Sequence, residues 1–100
     1  MPNIYVGQIS ASAPSNTLVL TTSDAAVASN LDRVGLVLTN LSSGTMYLGL
    51  GGREAVLSKG IVLTSNGGIW MMDEYSYNNE KVSAIAHATN SVLAIQEFIK

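Results

Sequence analysis

Short apolar stretches alternate with turn residues along the whole sequence, at a spacing of roughly ten residues. None of them has the length or the period of an extended amphipathic helix. The candidate strands are residues 4–9, 17–22, 33–41, 45–50, 61–64, 69–73, 81–88 and 91–99. Seven or eight short strands in a chain of 100 residues indicate a single all-β domain. We therefore expect an antiparallel β-sandwich or a jelly-roll-like barrel with at most one short helix.

The one segment that departs from the strand pattern is 23–30, where Asp24 precedes an Ala-rich stretch. An acidic residue in that position favours one or two helical turns over 24–30. Alternation within the strands predicts which apolar side chains share the core face. The predicted core residues are Val34, Leu36, Leu38, Met46, Leu48, Leu63, Ile69, Leu93 and Ile95.

Short connections join several of the candidate strands. Ser42, Ser43 and Gly44 separate 33–41 from 45–50, which predicts a hairpin between these two strands. Thr89 and Asn90 separate 81–88 from 91–99, which predicts a closing hairpin.

The N-terminal residues 1–16 form the least certain part of the domain. The apolar run at 4–9 is followed by a Ser/Ala-rich linker with Pro14. This segment is either an ordinary first strand or an arm that adds a strand to a neighbouring chain. The expected division is an arm or first strand with linker at 1–16 and a sandwich domain at 17–100.

Composition excludes several classes of function. Charged residues make up 12% of the chain, the net charge is −2, and the five basic residues form no run, so nucleic-acid binding is not expected. No apolar stretch approaches the ~20 residues that span a bilayer, and the N-terminus does not have the pattern of a signal peptide. The low charge favours a surface covered by copies of the protein or by a partner. The alternative is a plain surface of Ser, Thr and Asn.

Nothing in the sequence marks a catalytic, cofactor or metal site. Cysteine is absent, and the single histidine, His87, has no nearby nucleophile or orienting acid in the sequence. Asp73 and Glu74 are adjacent, so on a strand they point to opposite faces. Gly49, Gly51 and Gly52 lack the Lys-Ser/Thr ending of a phosphate loop. We expect a protein that is not an enzyme, with no catalytic, cofactor-binding or metal-binding residues.

Aromatic residues are the remaining candidates for a binding surface. Tyr75 and Tyr77 lie two positions apart in a polar loop, where they mark a protein or sugar contact or else cover a sheet edge. Trp70 is either a core residue or part of the contact. The predicted interface residues are Ile4, Tyr5, Val6, Tyr47, Arg53, Trp70, Tyr75 and Tyr77.

Residues 33–52, 60–73 and 81–98 together resemble a set of small β-sandwich virion proteins of tailed bacteriophages. Those proteins combine an Arg-led strand that ends in a hairpin of the form xNxSS/GxTxYLG, a Gly-bearing strand pair, a Tyr-containing loop and a closing hairpin of the form (A/S)AI(W/A)A…VxVxE. The matching positions are Arg33, Asn40, Ser42, Ser43, Gly44, Tyr47, Leu48, Gly49, Tyr77, Ser83, Ala84, Ile85, Ala86 and Glu97. The resemblance covers about residues 17–98, and Trp70, Met71 and Met72 depart from it.

The resemblance implies a non-enzymatic structural component of a bacteriophage virion, first of all a capsid decoration (cement) protein. The implied partners are further copies of the chain, with a trimer among the candidates, and the major capsid protein or another virion protein. Nucleic acid and membrane are not implied. The alternatives are a receptor- or carbohydrate-binding module of a tail or fibre, and a head–tail or tail adaptor. The implied location is the virion, assembled in the bacterial cytoplasm.

Overall fold

The computed structural model describes residues 9–73 and 75–100, and within them the chain forms nine β-strands and no helix. The strands are β1 (Ser10–Ala11), β2 (Ser15–Val19), β3 (Asp24–Val27), β4 (Arg33–Asn40), β5 (Met46–Gly49), β6 (Ile61–Leu63), β7 (Ile69–Met71), β8 (Val82–Ala86) and β9 (Ser91–Ile99). The prediction of an all-β antiparallel sandwich is confirmed. The strand number is higher than expected because β1 and β3 are short strands that the apolar pattern does not mark.

Two antiparallel sheets pack face to face. Sheet A has five strands: β9 pairs with β4, β4 with β7, and β1 and β2 both pair with the other side of β9. Sheet B has four strands in the order β3-β8-β5-β6. The longest strand, β9, therefore lies at the centre of sheet A.

Most of the predicted core lies between the two sheets. The structure buries Leu36, Leu38, Met46, Leu48, Leu63 and Leu93, as alternation predicts. Val34 and Ile95 are only half-buried, and Ile69 is 59% exposed. The prediction for Ile69 is wrong because Trp70, which lies opposite Leu38, is the residue of β7 that faces inward.

The half-burial of Val34 has a local cause. The pairing of β4 with β9 shifts register between Arg33 and Gly35. Such a bulge adds one residue and resets the alternation. Arg33 and Leu36, three positions apart, are consequently both buried.

The predicted helical turns at 24–30 are wrong. Asp24–Val27 is strand β3, which pairs with β8 through Asp24 opposite Ala84 and Val27 opposite Val82. The Asp24 carboxylate accepts a hydrogen bond from the amide of the next residue, Ala25, at 2.8 Å. Pairing with β8 satisfies the backbone and buries Val27, which a single helical turn would not do.

The two predicted hairpins are also wrong, because their strands belong to different sheets. The chain passes from sheet A to sheet B between β4 and β5, and from B to A between β8 and β9. Asn40 fixes the first crossing: its Nδ2 donates to the carbonyl oxygens of Gly44 at 2.7 Å and Leu63 at 3.0 Å. Its Oδ1 accepts a hydrogen bond from the amide of Ser42 at 2.8 Å. In a hairpin, these backbone groups would pair with each other between two strands. At this crossing they hydrogen-bond the buried side-chain amide of Asn40 instead.

The N-terminal segment pairs with β9 as far as the structure describes it. Ser10 lies opposite Ile99, and Ser15 lies opposite Ile95. The predicted boundary at residue 16 therefore falls inside β2, and the expected linker is partly strand. The predicted interface residues Ile4, Tyr5 and Val6 lie outside the described residues.

Candidate interaction surface

The outer face of sheet B is partly covered by the chain's own loop, residues 51–60, which leaves Val62 on the edge strand β6 48% exposed. Ala55 in this loop is 4% exposed and packs with Tyr47 and Ile85, which are neighbours on β5 and β8. The backbone of the loop lies so close to Gly49 that a Cβ there would be 2.6 Å from the Glu54 carbonyl oxygen. Gly49 is therefore required for the loop to close over the sheet.

Hydrogen bonds hold this loop in place. The Ser23 hydroxyl donates to Glu54 Oε1 at 2.8 Å and accepts from the Ala55 amide at 2.9 Å. Lys81 Nζ lies 3.1 Å from Glu54 Oε2. The hydrogen bond from Ser23, followed by the contact with Lys81, lowers the pKa of Glu54 below its ordinary value. These polar contacts hold the loop against the middle of sheet B.

The outer face of sheet A is open. Strand registers place an unbroken set of residues on it: Ala11, Asn16, Leu18, Gly35, Val37, Thr39, Ile69, Met71, Val92, Ala94, Gln96 and Phe98. None of them is charged. Leu18, Ile69 and Met71 are 61%, 59% and 62% exposed. We call this surface the open face; it includes a shallow groove of about 360 Å³ between β2 and β4.

A second concavity lies at the end of the sandwich where β4 begins and β9 ends. Its volume is about 890 Å³, and we call it the end groove. Its walls are Ile9, Leu31, Val34, Met72 and Tyr77, and its charged lining is Asp32, Arg33, Asp73 and Lys100.

The charges of the end groove are held in different ways. Arg33 is fully buried; its Nε lies 2.7 Å from Glu97 Oε2, and its other nitrogens donate to the carbonyl oxygens of Ala28, Asn78 and Glu80. The hydroxyl of Ser76, and then the amides of Ser76 and Tyr75, lower the pKa of Asp73. The Arg33 charge is therefore compensated inside the fold by Glu97 and by backbone carbonyl oxygens. The Asp73 carboxylate lies at the rim, and its lowered pKa favours the ionised form.

The structure disperses the predicted interface residues. Tyr47 is 9% exposed beneath the loop, and Trp70 is half-buried against the core. Arg53 is exposed on the loop, and Tyr75 is 91% exposed. Tyr77 is 48% exposed, and its hydroxyl donates to the Arg33 carbonyl oxygen at 2.8 Å. Tyr75 and Tyr77 lie near each other in one loop, but the others do not join them in one surface.

The exposed His87 contacts a single aromatic neighbour. Its Nε2 lies 3.3 Å from the Tyr47 hydroxyl, with the two rings edge to face. The part of the chain that the structure describes holds no group of three or more His, Cys, Asp or Glu side chains that could bind a metal ion. It also holds no helix long and apolar enough to cross a membrane.

Sequence reasoning missed the open face, although a signal was present. Ile69, Trp70 and Met71 are consecutive on one strand, so Ile69 and Trp70 cannot both face the core. Choosing Trp70 as the core residue would have placed Ile69 and Met71 outside. The exposure of Leu18 depends on the pairing of β2 with β9, which the sequence pattern does not contain.

Comparison with known proteins gives a likeness of fold. No protein-family model matches the chain, and no curated protein sequence matches it. Among solved structures, the chain is similar to one described as a Bacillus endospore appendage, of a family of disulfide-linked pili. The TM-score is 0.51, the identity 13%, and the match covers 92% of this chain and 88% of that one. This likeness shows a shared fold, and the disulfide linkage has no counterpart in this cysteine-free sequence.

Proposed function

We propose that this protein is a non-enzymatic structural subunit that assembles with further copies of itself through the open face. The observation that carries the proposal is the contrast between the two outer faces. Loop 51–60 covers Tyr47 and Ile85 in the middle of one, whereas the other exposes Leu18, Ile69 and Met71 without a single charged residue.

Burial of this face against a like face is physically favourable. Each fully buried Leu, Ile or Met side chain contributes about 1.5–3 kcal/mol relative to an exposed one. No charge would have to be desolvated, which is the main penalty in burying a polar surface. A second copy presents the same uncharged apolar surface. In an isologous contact each partner would therefore bury its own open face against that of the other. The similar fold of a pilus subunit supports a structural role.

The test is the oligomeric state of two variants in sedimentation velocity. Ile69→Lys combined with Met71→Lys puts two charges on the open face, at positions that are 59% and 62% exposed and so tolerate the change. We expect the wild type to sediment as an oligomer and this variant as a smaller species that has lost the contact between open faces.

Val62→Lys is the matched control. Val62 is 48% exposed on β6, another three-residue strand, and lies opposite Tyr47 on sheet B. This variant should sediment like the wild type. A wild type that stays monomeric at all soluble concentrations, or a loss of assembly in both variants, would refute the proposed interface.

The finer role that we propose is capsid decoration in a tailed bacteriophage virion, with the major capsid protein as second partner. This role rests on the sequence resemblance alone. Mixing the labelled protein with capsids and imaging the particles tests it, since a decoration protein covers the shell in many copies. Labelling at a few sites on the tail would favour a fibre module or an adaptor instead.

One observation favours a carbohydrate-binding module as the second candidate. The Tyr75 side chain is 91% exposed in the same loop as Tyr77, and exposed aromatic side chains on loops of a rigid sandwich are typical of binding surfaces. Tyr75→Phe should preserve binding to a host glycan array, and Tyr75→Ala should abolish it. Absence of wild-type binding to any glycan rejects this candidate.

A further inference from the structure

Loop 51–60 presents an apolar turn to the outside. Val56 is 50% exposed and Leu57 38% exposed, and the Lys59 amide donates to the Val56 carbonyl oxygen at 3.1 Å to close the turn. Ser58 has a φ of 64°, in the left-handed region that tight turns use. Ala55 anchors the loop beneath this turn, so Val56 and Leu57 are held outward on a fixed base.

Two basic residues flank the turn. Arg53 and Lys59 are both exposed, and within residues 9–73 and 75–100 neither side chain has a hydrogen bond or ion pair. Glu54, between them, is neutralised by Lys81. The surface of the turn is therefore apolar at its tip and positive at its base.

The end groove has apolar walls and charges of both signs at its rim. Leu31, Val34 and Met72 provide apolar walls, and Leu31 is 86% exposed. Asp32 and Asp73 provide negative charge at the rim, and Lys100 adds a positive charge to the same lining. The Asp32 carboxylate has no ion-pair partner among the described residues, and its exposure leaves it accessible to a second molecule.

We propose that the turn 56–59 of one copy inserts into the end groove of the next copy, with Leu57 against Leu31 and Lys59 near Asp32. The turn lies over sheet B and the groove at the end of sheet A, so the contact joins different surfaces of two molecules. Such a heterologous contact repeats from copy to copy and produces a ring or an open chain. It extends the proposed assembly beyond pairing of open faces.

Disulfide trapping tests this contact cleanly because the sequence has no cysteine. A chain carrying both Leu57→Cys and Leu31→Cys should form a ladder of covalent oligomers under mild oxidation. Each single variant should give dimers at most. The matched control combines Leu57→Cys with Leu41→Cys, since Leu41 is 52% exposed but follows β4 at the other end of the sandwich. That pair should form no ladder.

Exchanging the charges of Lys59 and Asp32 tests the proposed ion pair between these two residues. In the double-cysteine chain, Lys59→Glu or Asp32→Lys alone should slow ladder formation about two- to fivefold, the range of an exposed ion pair. The two changes together should restore the rate.

The same trapping with Ile69→Lys and Met71→Lys added separates this contact from the open face. A ladder that persists supports the turn–groove contact whether or not the open faces pair. No ladder, or equal ladders with Leu31→Cys and Leu41→Cys, overturns the proposal.

Discussion

Arg33 ties together segments that are far apart in the sequence. Its side chain contacts Glu97, 64 positions away, and carbonyl oxygens of the loop before β8 and of the loop after β3. Its own carbonyl oxygen accepts the Tyr77 hydroxyl. A fully buried guanidinium is tolerated here because a carboxylate and several backbone acceptors replace its water.

We expect Arg33→Ala to lower the free energy of unfolding by about 3–5 kcal/mol, because Glu97 would lose its countercharge and the carbonyl oxygens their donor. Urea denaturation measures this change. Lys81→Ala, which breaks the exposed pair with Glu54, is the control and should change the free energy of unfolding far less. Equal losses in the two variants would contradict the assigned role of Arg33.

At the scale of single elements, loop 51–60 depends on one glycine. We expect Gly49→Ala to lift the loop, because its Cβ would lie 2.6 Å and 2.7 Å from the carbonyl oxygens of Glu54 and Arg53. Amide hydrogen exchange should then accelerate in residues 53–56. Gly44→Ala is the control, since its Cβ meets nothing closer than 3.8 Å. Unchanged exchange in Gly49→Ala would mean that the loop accommodates a side chain there.

The hydrogen bonds that Tyr75 and Ser76 donate to Asp73 should be lost in acid. The Asp73 carboxylate accepts hydrogen bonds from the Tyr75 amide and from the amide and hydroxyl of Ser76, which lowers its pKa. A group whose pKa is lowered by folding stabilises the fold above its unfolded pKa, about 3.9 for Asp, and ceases to do so as the pH falls through the folded value. The amide shifts of Tyr75 and Ser76 should therefore titrate together below about pH 4. In Asp73→Asn this titration should disappear.

The sequence predicts individual strands better than it predicts which strands pair with each other. The alternation within 33–41 identifies Leu36 and Leu38 as core residues, because a strand's period is local information. The length of a connection does not reveal whether it closes a hairpin or crosses between sheets. The crossing after β4 depends on Asn40 meeting Leu63, 23 positions away. The open face is likewise invisible until β2, β4, β7 and β9 are placed side by side.

At the scale of the whole molecule, stability should be uneven. The strands β4, β9, β5 and β8 have paired neighbours on both sides, whereas β6 and β7 are three-residue strands at open edges of their sheets. We expect native-state hydrogen exchange to show the central strands opening only with global unfolding and β6 and β7 opening locally. Equal protection of β7 and β9 would indicate that the edge of sheet A is covered in solution, for example by another copy.

The central place of β9 has a consequence for the newly made chain. β1, β2 and β4 are all synthesised before β9, the strand that pairs with each of them. On the ribosome, β1 and β2 therefore lack their partner strand, and β4 can pair only with β7. During that interval the edge of β4 that later pairs with β9 is unpaired, a condition in which chains aggregate with one another or recruit chaperones. Nascent chains of this protein should therefore remain protease-sensitive until β9 has left the exit tunnel, and become resistant in a single late step.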